Sequence, residues 1–251
     1  MNKITAIIIA KNEEKSIKDC IDSVRRLADE IIVVDNGSTD KTADVSKKLG
    51  AKAFSVNTDN FSELRNYGLE KARGDWVLYV DADERISSVL AEEIKLKIKN
   101  EKIKIYKIRR RNFYFGENPW PYIEKLGRVF KRTALKEWKG KLHESPIYDG
   151  EVGELKNYLV HYTHKNLSSM VEKTLEWSET EANLRILAKH PEMSWWRFPR
   201  VMLSSFFNSY IKQQGFRAGT MGLVESLYQA FSTFITYAKL WEMQQKIKKI
   251  K

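Results

Sequence analysis

Residues 76–83 read WVLYVDAD, an apolar run that ends in Asp81 and Asp83. A buried strand with this ending places two carboxylates at the carboxyl edge of a sheet, where open α/β sheets bind their ligands. Hard divalent cations prefer carboxylate oxygens, and a cation at this edge can hold a diphosphate. Because Asp-x-Asp also occurs in ordinary solvated turns, the segments before it decide whether it marks a metal site.

The first hundred residues alternate between strand and helix patterns. The stretches ITAIIIA at residues 4–10 and EIIVVD at residues 30–35 are apolar on both faces, as central parallel strands are. Residues 16–27 carry apolar side chains at helical spacing, and a helix capped by Ser62 is expected to run through Ala72. This alternation predicts an α/β fold, with a mostly parallel sheet flanked by helices.

The pattern changes after about residue 103, and residues 109–160 are rich in aromatic side chains and turns. From Leu167 onward the sequence is again helical, with apolar side chains at three- and four-residue steps. These are Leu223, Leu227, Phe231, Phe234, Ala238 and Trp241. We therefore expect one domain over residues 1–165, with halves at 1–100 and 101–165, and a helical C-terminal region over residues 166–251.

Composition narrows the class of protein. The chain has 251 residues, a net charge of +11 and one cysteine. The charge admits nucleic acid, an anionic membrane or a phosphorylated substrate as partner. Cys20 is expected to be a small core residue, in a reducing compartment. We expect no signal peptide, because KNEE follows the short apolar stretch at Ile4–Ala10, and no stretch reaches the roughly 18 apolar residues that span a bilayer.

Polar clusters fall at or just after the predicted strand ends. They read KNEE at residues 11–14, DNGSTD at 35–40, RN at 65–66 and DAD at 81–83. Because parallel strands end at the same edge of a sheet, these clusters should converge on one site.

These motifs together resemble those of the family 2 glycosyltransferases, which have the GT-A (nucleotide-diphospho-sugar transferase) fold. The chain is also similar to the lipopolysaccharide core glucosyltransferases of that family, at His143 and Glu144 and in its aromatic C-terminal helices. It departs from that branch at residues 215–219, which read GFRAG where the branch tends to have GFLDG. The missing acid bears on which acceptor the protein would use, and it leaves the predicted fold unchanged.

The resemblance implies roles for five residues in binding a nucleotide sugar. Asp35 would accept a hydrogen bond from a uracil ring, and Lys11 and Glu13 would line the base and ribose pocket. Arg65 would bond a phosphate oxygen, and Asp81 would face the ribose or the metal. Asp35 could instead only initiate a turn, and Arg65 could be an ordinary helix-surface arginine.

The resemblance also implies a metal site and a catalytic base. Asp83 would ligate the metal that bridges the two phosphates, and His161 would complete the site, with His164 as the alternative ligand. Imidazole with carboxylates favours Mn²⁺ or Mg²⁺ where phosphates share the metal. Glu144, in GKLHE at residues 140–144, would deprotonate the acceptor hydroxyl. A structural histidine and an ordinary strand-end glutamate are the alternatives.

The predicted function is a metal-dependent inverting glycosyltransferase, which moves a sugar from a UDP-sugar to a cell-envelope or lipid-linked saccharide such as lipopolysaccharide core. Residues 1–100 would bind the nucleotide sugar, and residues 101–165 would hold the acceptor and the base. The aromatic segments WWRF at 195–198 and FFNSY at 206–210 and the basic tail suit peripheral contact with an anionic membrane, at the cytoplasmic face of the inner membrane. Alternatively, these aromatics only pack the helices on the catalytic domain.

Other functions remain open at this point. A non-catalytic sugar-nucleotide-binding protein or a polyprenyl-phosphate sugar transferase would carry the same motifs. A sugar nucleotidyltransferase would need a glycine-rich loop, and residues 10–20 contain no glycine. Nucleic acid is not expected as a partner, because Asp35, Asp81 and Asp83 cluster where a nucleic-acid-binding module would be basic.

Overall fold

The computed structural model describes residues 2–116 and 118–250. Over these residues the chain forms strands and α-helices, with a π-helical turn (Asn208–Lys212) and a 3₁₀ turn (Gly215–Ala218) near its end. In chain order the elements are β1 (Ile4–Ala10), α1 (Ile17–Val24), β2 (Glu30–Asp35), α2 (Thr42–Lys48), β3 (Lys52–Ser55), α3 (Phe61–Lys71), β4 (Trp76–Asp81), β5 (Glu84–Ile86), α4 (Ser88–Lys97), β6 (Ile103–Tyr114), β7 (Asn118–Lys131), β8 (Leu135–Lys139), β9 (Ser145–Tyr148), β10 (Glu151–Tyr162), α5 (Leu167–Leu187), α6 (Arg197–Phe207) and α7 (Gly219–Ile250).

Strand β1 lies at the centre of the parallel part of the sheet. It pairs in parallel with β2 on one side and with β4 on the other, and β2 pairs in parallel with β3. Among the described residues the strand order is β3-β2-β1-β4-β7-β6-β10-β5, and β8 and β9 form a separate antiparallel pair. The β4–β7 and β10–β5 pairs are antiparallel. The predicted α/β fold with helices after the sheet is confirmed.

Each face of β1 packs against a different layer of helices. Ile4, Ala6 and Ile8 belong to one buried cluster, which includes side chains of α1 and α4. Ile7 and Ile9 belong to a second cluster, with side chains of α3. This alternation follows from the two-residue period of a strand, and it explains why β1 is apolar at every position except Thr5. Cys20 on α1 is buried in the first cluster, as expected for a core residue.

A glycine allows helix α3 to approach β1 closely. A Cβ atom at Gly68 would lie only 2.4 Å from Cγ2 of Ile7, so any side chain there would force the helix or Ile7 to shift. The helix begins at Phe61, slightly earlier than predicted, because the side chain of Asn60 and not that of Ser62 accepts the capping hydrogen bond, at 3.1 Å from the Ser62 nitrogen. The cap and the close approach fix the part of α3 that carries Arg65.

The chain divides into two compact units. Unit 1 comprises the residues up to Arg111 together with Ile123–His161. The helical unit comprises Asn112–Tyr122 together with the residues from Tyr162 onward, and it contains α5, α6 and α7. The sequence-based boundary between residues 165 and 166 stays a prediction.

The helical unit buries several polar side chains and exposes many apolar ones, although Leu240 and a few other apolar residues are buried. On α7, Glu225, Ser226 and Thr236 are buried. The apolar stripe predicted on this helix is exposed at Leu223, Leu227, Phe231, Phe234 and Trp241. Globular helices normally show the opposite pattern, because apolar surface gains free energy when it leaves water. Within the described part of the chain, every helix is too short or too polar to cross a membrane.

Candidate active site

Three strand ends meet at one edge of unit 1. In the pairing register Ala10 lies beside Asp35, and Ile9 lies beside Asp81. The loop that follows β1 therefore emerges between the ends of β2 and β4. The sequence clusters after these strands share one edge of the sheet, which is the arrangement that their order predicted.

The Asp35 carboxylate is bound by the turn that follows it. Asp35 is buried, and it accepts hydrogen bonds from the hydroxyl of Ser38 and, at 3.2 Å, from the Ser38 nitrogen. These bonds are those of a turn-initiating aspartate. A carboxylate has about four lone-pair sites, so the two bonds leave Asp35 with capacity to accept another donor.

Lys11 and Glu13 lie on the loop after β1, which is tied to the loop after β2. The Glu13 nitrogen donates to Oγ1 of Thr42 at 2.8 Å. The side-chain oxygen of Asn12 accepts from the Thr39 nitrogen, also at 2.8 Å. Lys11 is exposed and Glu13 half-buried, so both side chains can reach solvent beside Asp35 at this edge.

Arg65 on α3 connects the end of β4 to the segment between β8 and β9. Its Nε donates to Oε1 of Glu144 at 2.7 Å, and its Nη2 donates to Oδ1 of Asp81 at 3.1 Å. The guanidinium lies 4.8 Å from the centroid of the Trp138 ring. Its Nη1 is buried without a hydrogen-bond partner among the described residues. Arg65 is thus a buried part of the site with a donor still to offer, and not a helix-surface arginine.

A network of side chains with alternating charge extends from Arg65 through unit 1. Nη2 of Arg128, on β7, lies 2.7 Å from Oδ2 of Asp81 and 3.2 Å from Oε1 of Glu84. Glu84 also accepts from Nη1 of Arg110 at 3.0 Å, and Nε of Arg110 donates to Glu124 at 2.8 Å. Each charge in this network therefore has a partner of opposite sign, which offsets the free-energy cost of removing an unpaired charge from water.

These partners shift the pKa values of Asp81, which is half-buried, and of Arg128, which is buried. Burial alone would raise the pKa of Asp81, but the positive charges of Arg128 and Arg65 outweigh it and hold that pKa well below its usual range. Burial alone would lower the pKa of Arg128, but Asp81 and Glu84 raise it. Asp81 is therefore ionised throughout the neutral range.

The network also holds residues that sequence patterns did not single out. Glu84 directly follows the DAD motif, which was the one local signal available. Arg110, Glu124 and Arg128 lie far from the motif in sequence, on β6 and β7. Arg128 reaches Asp81 and Glu84 because β7 pairs with β4, and Arg110 reaches Glu84 from β6, the next strand of the sheet. Glu124 joins the network through Arg110, and no local sequence pattern encodes these strand pairings.

Glu144 follows a glycine-bearing turn between β8 and β9. Gly140 has a φ of 109°, which a residue with a side chain rarely adopts. The nearby strand β8 is fixed to α3, because Asn66 donates to the Trp138 oxygen at 3.0 Å and accepts from the Trp138 nitrogen at 2.7 Å. Since Arg65 and Asn66 are neighbours on α3, the helix holds both the strand and the Glu144 carboxylate.

Asp83 and His161 lie together in unit 1. Strands β5 and β10 are antiparallel, with His161 opposite Glu84, and Nε2 of His161 lies 3.3 Å from Oδ2 of Asp83. His164 contacts a different acid, since its Nδ1 lies 3.0 Å from Oε2 of Glu225 within the helical unit. The alternative ligand is therefore engaged elsewhere.

The Asp83–His161 pair fits a divalent cation that is also coordinated by phosphate oxygens. It offers one carboxylate oxygen and one imidazole nitrogen, both largely buried, which are the donor types of Mn²⁺ and Mg²⁺ sites. No group of three or more potential protein ligands exists among the described residues. A cation bound here would take its other ligands from a substrate or from water.

Comparison with known families identifies the class of protein. The family model for glycosyl transferase family 2 matches residues 5–148. The chain belongs to this family. The match confirms the resemblance drawn from the motifs, and together with the α/β sheet it confirms the GT-A fold. Within this family 2 glycosyltransferase, the matched range contains every candidate residue except His161 and the alternative ligand His164.

Relatives of similar length carry the same class name. An uncharacterized glycosyltransferase of Rickettsia typhi is 29% identical over 265 residues, which cover 100% of this chain and 90% of the relative. The lipopolysaccharide core biosynthesis glycosyltransferase LpsC of Rhizobium meliloti is 26% identical over 256 residues, which cover 95% of this chain and 92% of the relative.

One solved structure resembles part of this glycosyltransferase. Glucosyl-3-phosphoglycerate synthase from Mycobacterium tuberculosis, in complex with Mn²⁺, UDP-glucose and phosphoglyceric acid, matches with a TM-score of 0.38 and 28% identity. The match covers 46% of this chain and 45% of that one, so the chain spans less than half of its length. A likeness this low carries no argument about ligands.

Proposed function

We propose that this protein is a metal-dependent inverting glycosyltransferase, which transfers a sugar from a UDP-sugar to a cell-envelope or lipid-linked saccharide such as lipopolysaccharide core. The observation that carries the proposal is the link from Glu144 through Arg65 to Asp81, at the sheet edge that also holds Asp35. A candidate base and a candidate donor site are thereby joined by one arginine.

The donor would be bound by the residues at the strand ends. Asp35 retains lone pairs that can accept the imide N–H of uracil, and Lys11 and Glu13 lie on the loop beside it. Arg65 would offer its unpaired Nη1 to a phosphate oxygen, a charge-assisted hydrogen bond. Asp83 and His161 would hold the divalent cation, which when bound neutralises charge on the diphosphate.

Glu144 would act as the base. It takes the proton of the acceptor hydroxyl as that oxygen attacks the anomeric carbon from the face opposite the leaving group. The new carbon–oxygen bond forms while the bond to the diphosphate breaks, so the configuration inverts and the nucleoside diphosphate leaves. Arg65 fixes the carboxylate in position through its Nε.

The kind of acceptor is proposed from the relatives and the helical unit. A lipopolysaccharide core glycosyltransferase aligns with nearly the whole chain. Trp195 is 82% exposed and Leu203 is 67% exposed, and the exposed stripe on α7 adds further apolar surface. We infer that this surface rests on an anionic membrane at the cytoplasmic face of the inner membrane, without crossing it.

A donor screen tests the proposed reaction. The release of UDP, GDP and ADP from their nucleotide sugars would be measured with Mn²⁺ or Mg²⁺, with and without core oligosaccharide as acceptor. We expect acceptor-dependent release of UDP that stops on chelation of the metal. Donor binding without turnover for any acceptor would instead support a binding protein, and transfer only to a polyprenyl phosphate would replace the proposed acceptor.

A further inference from the structure

The helical unit contains a cavity that lies outside the proposed donor and acceptor residues. Its volume is about 510 Å³, and it is lined by parts of α5, α6 and α7. Arg197, Arg200, Ser204 and Asn208 line it from α6 and the position that follows α6. These four positions recur at steps of three and four residues, so one polar face of the helix borders the cavity.

The cavity is strongly cationic. Arg185 joins Arg197 and Arg200 among its lining residues, and the described lining contains no aspartate or glutamate. The guanidiniums of Arg197 and Arg200 lie 5.0 Å and 5.8 Å from the Trp196 ring centroid. Neither has a hydrogen bond or ion pair within residues 2–116 and 118–250. Like charges gathered in this way repel one another and favour an anion between them.

Arg185 supplies a donor that the fold leaves unpaired. Its Cζ lies 4.6 Å from the Tyr237 ring centroid, and its Nη2 lies 3.5 Å from Oε2 of Glu181, one helical turn away. Its Nε is buried and has no hydrogen-bond partner among the described residues. A buried N–H without a partner is costly, so a ligand that accepts from it would be bound favourably.

Helix α6 exposes part of its apolar surface while its arginines border the cavity. Leu203 and Phe207 are exposed on this helix, and among its described residues none is buried. A helix placed only by packing would turn its apolar face inward and its arginines to solvent. On α6, the half-buried Arg197 and the exposed Arg200 border the cavity beside Val201, so basic side chains occupy positions at the cavity wall that packing alone would give to apolar ones.

We propose that this cavity binds a phosphomonoester group. Guanidinium groups match phosphate oxygens in pairs, and three of them suit a dianion better than a carboxylate. The Ser204 hydroxyl and the Asn208 amide offer further donors. The volume lies within the range of small-molecule sites, and it exceeds what a bare phosphate needs, so the sugar or glycerol that carries the phosphate also fits.

The phosphomonoester could belong to a soluble sugar phosphate or to a lipid headgroup, and two probes distinguish these sources. Glucose 6-phosphate and dihexanoyl phosphatidic acid would be titrated into the full-length protein by calorimetry. Glucose and dihexanoyl phosphatidylcholine are the matched ligands without a phosphomonoester. Binding of either phosphomonoester in preference to its matched ligand supports the site, and the tighter of the two identifies the source.

Variants show whether the binding occurs in the cavity. The Arg197→Gln/Arg200→Gln double variant should bind the preferred probe at least about 10-fold more weakly, because each charged hydrogen bond is worth roughly that factor. Lys173→Gln/Arg217→Gln removes the same charge from exposed positions that do not line the cavity, and it should bind within about 2-fold of the wild type. Arg200→Gln alone changes an exposed residue, so it tests the site even if the double variant folds poorly.

Two results would overturn the proposal. The first is equal affinity of the wild type and the folded arginine variants for both phosphomonoesters, which would place the binding elsewhere. The absence of measurable binding by the wild type counts as the same result. The second is an equal loss in the charge-matched control, which would reduce the effect to general electrostatics. Because neither titration requires turnover, the outcome is independent of the proposed transferase reaction.

Discussion

Nε of Arg65 lies 2.7 Å from Oε1 of Glu144, and the same guanidinium contacts Asp81 through Nη2. One buried side chain on α3 thus holds a carboxylate that follows β8 and a carboxylate at the end of β4. The RN, DAD and HE segments are separated in sequence, and their side chains come into contact at Arg65. Arg65 also holds the carboxylate of the proposed base, Glu144, in position.

Replacement of Glu144 by glutamine should lower the rate of transfer by about 10²-fold or more, which is the usual contribution of a general base. The amide keeps the size of the side chain but cannot take the proton, so the donor Kd should change little. Turnover and UDP-sugar binding would be measured separately. Glu137→Gln, at a half-exposed position on β8, is the matched control and should leave turnover unchanged. A collapse of donor affinity with normal turnover would make Glu144 a binding residue.

Asp83→Ala should abolish transfer while the protein still folds. The proposed role of Asp83 is to hold a cation with His161, and neither side chain belongs to the buried hydrophobic clusters. Mn²⁺ binding by calorimetry, turnover and the unfolding midpoint would all be measured. Asp149→Ala removes an exposed carboxylate on the same unit and serves as the control. Near-normal turnover that still requires a divalent cation would remove Asp83 from the site.

Arg128→Met should destabilise the folded protein by about 3–5 kcal/mol, the usual cost of removing one partner from a buried ion pair. Arg128 is buried and contacts both Asp81 and Glu84, and Glu84 is itself fully buried. Urea unfolding would measure the loss. Lys125 lies on the same strand as Arg128 and forms an exposed ion pair with Glu154. Lys125→Met breaks this pair and should cost no more than about 1 kcal/mol. Equal losses in the two variants would show that the buried network adds little stability.

The lowered pKa of Asp81 predicts how stability depends on pH. Its ionised form contributes stability that is fully present above the unfolded-state pKa of about 3.9 and is lost as pH falls below that value. The stability difference between the wild type and Asp81→Asn should therefore be constant from pH 7 to pH 5. Below about pH 3.9 it should narrow by about 1.4 kcal/mol per pH unit. Urea titrations at several pH values measure it, and a difference that stays constant down to pH 3 would contradict the assignment.

The sequence predicted the parallel half of the sheet well and the rest poorly, for a physical reason. The predicted bounds of β1 and β2 are those observed, because a central strand buried on both faces has a continuous apolar sequence. Arg128 and Arg110 escaped prediction because they enter the site through antiparallel strands whose pairing is not local. The stripe on α7 was predicted as helical, but its exposure depends on which face the rest of the unit covers.

The exposed apolar surface of the helical unit leads to a prediction about membranes. The protein should sediment with anionic vesicles, and the binding should weaken as salt rises, since charge attraction is screened over about 10 Å at 0.1 M salt. In the basic tail, Lys246 pairs with Glu242, and Lys248 pairs with Glu192. The tail should therefore contribute less than four free lysines would, at roughly 1 kcal/mol for each free lysine near an anionic surface.

Two kinds of variant separate the apolar and electrostatic parts of this binding. Deletion of residues 246–251 should shift binding toward the level on neutral vesicles and leave activity on a soluble acceptor intact. Leu203→Ser/Phe207→Ser removes exposed apolar surface without changing charge, so it should weaken binding to neutral and anionic vesicles by the same factor. Equal binding of the wild type to both vesicles would defeat the electrostatic part, and unchanged binding of the serine variant would defeat the apolar part.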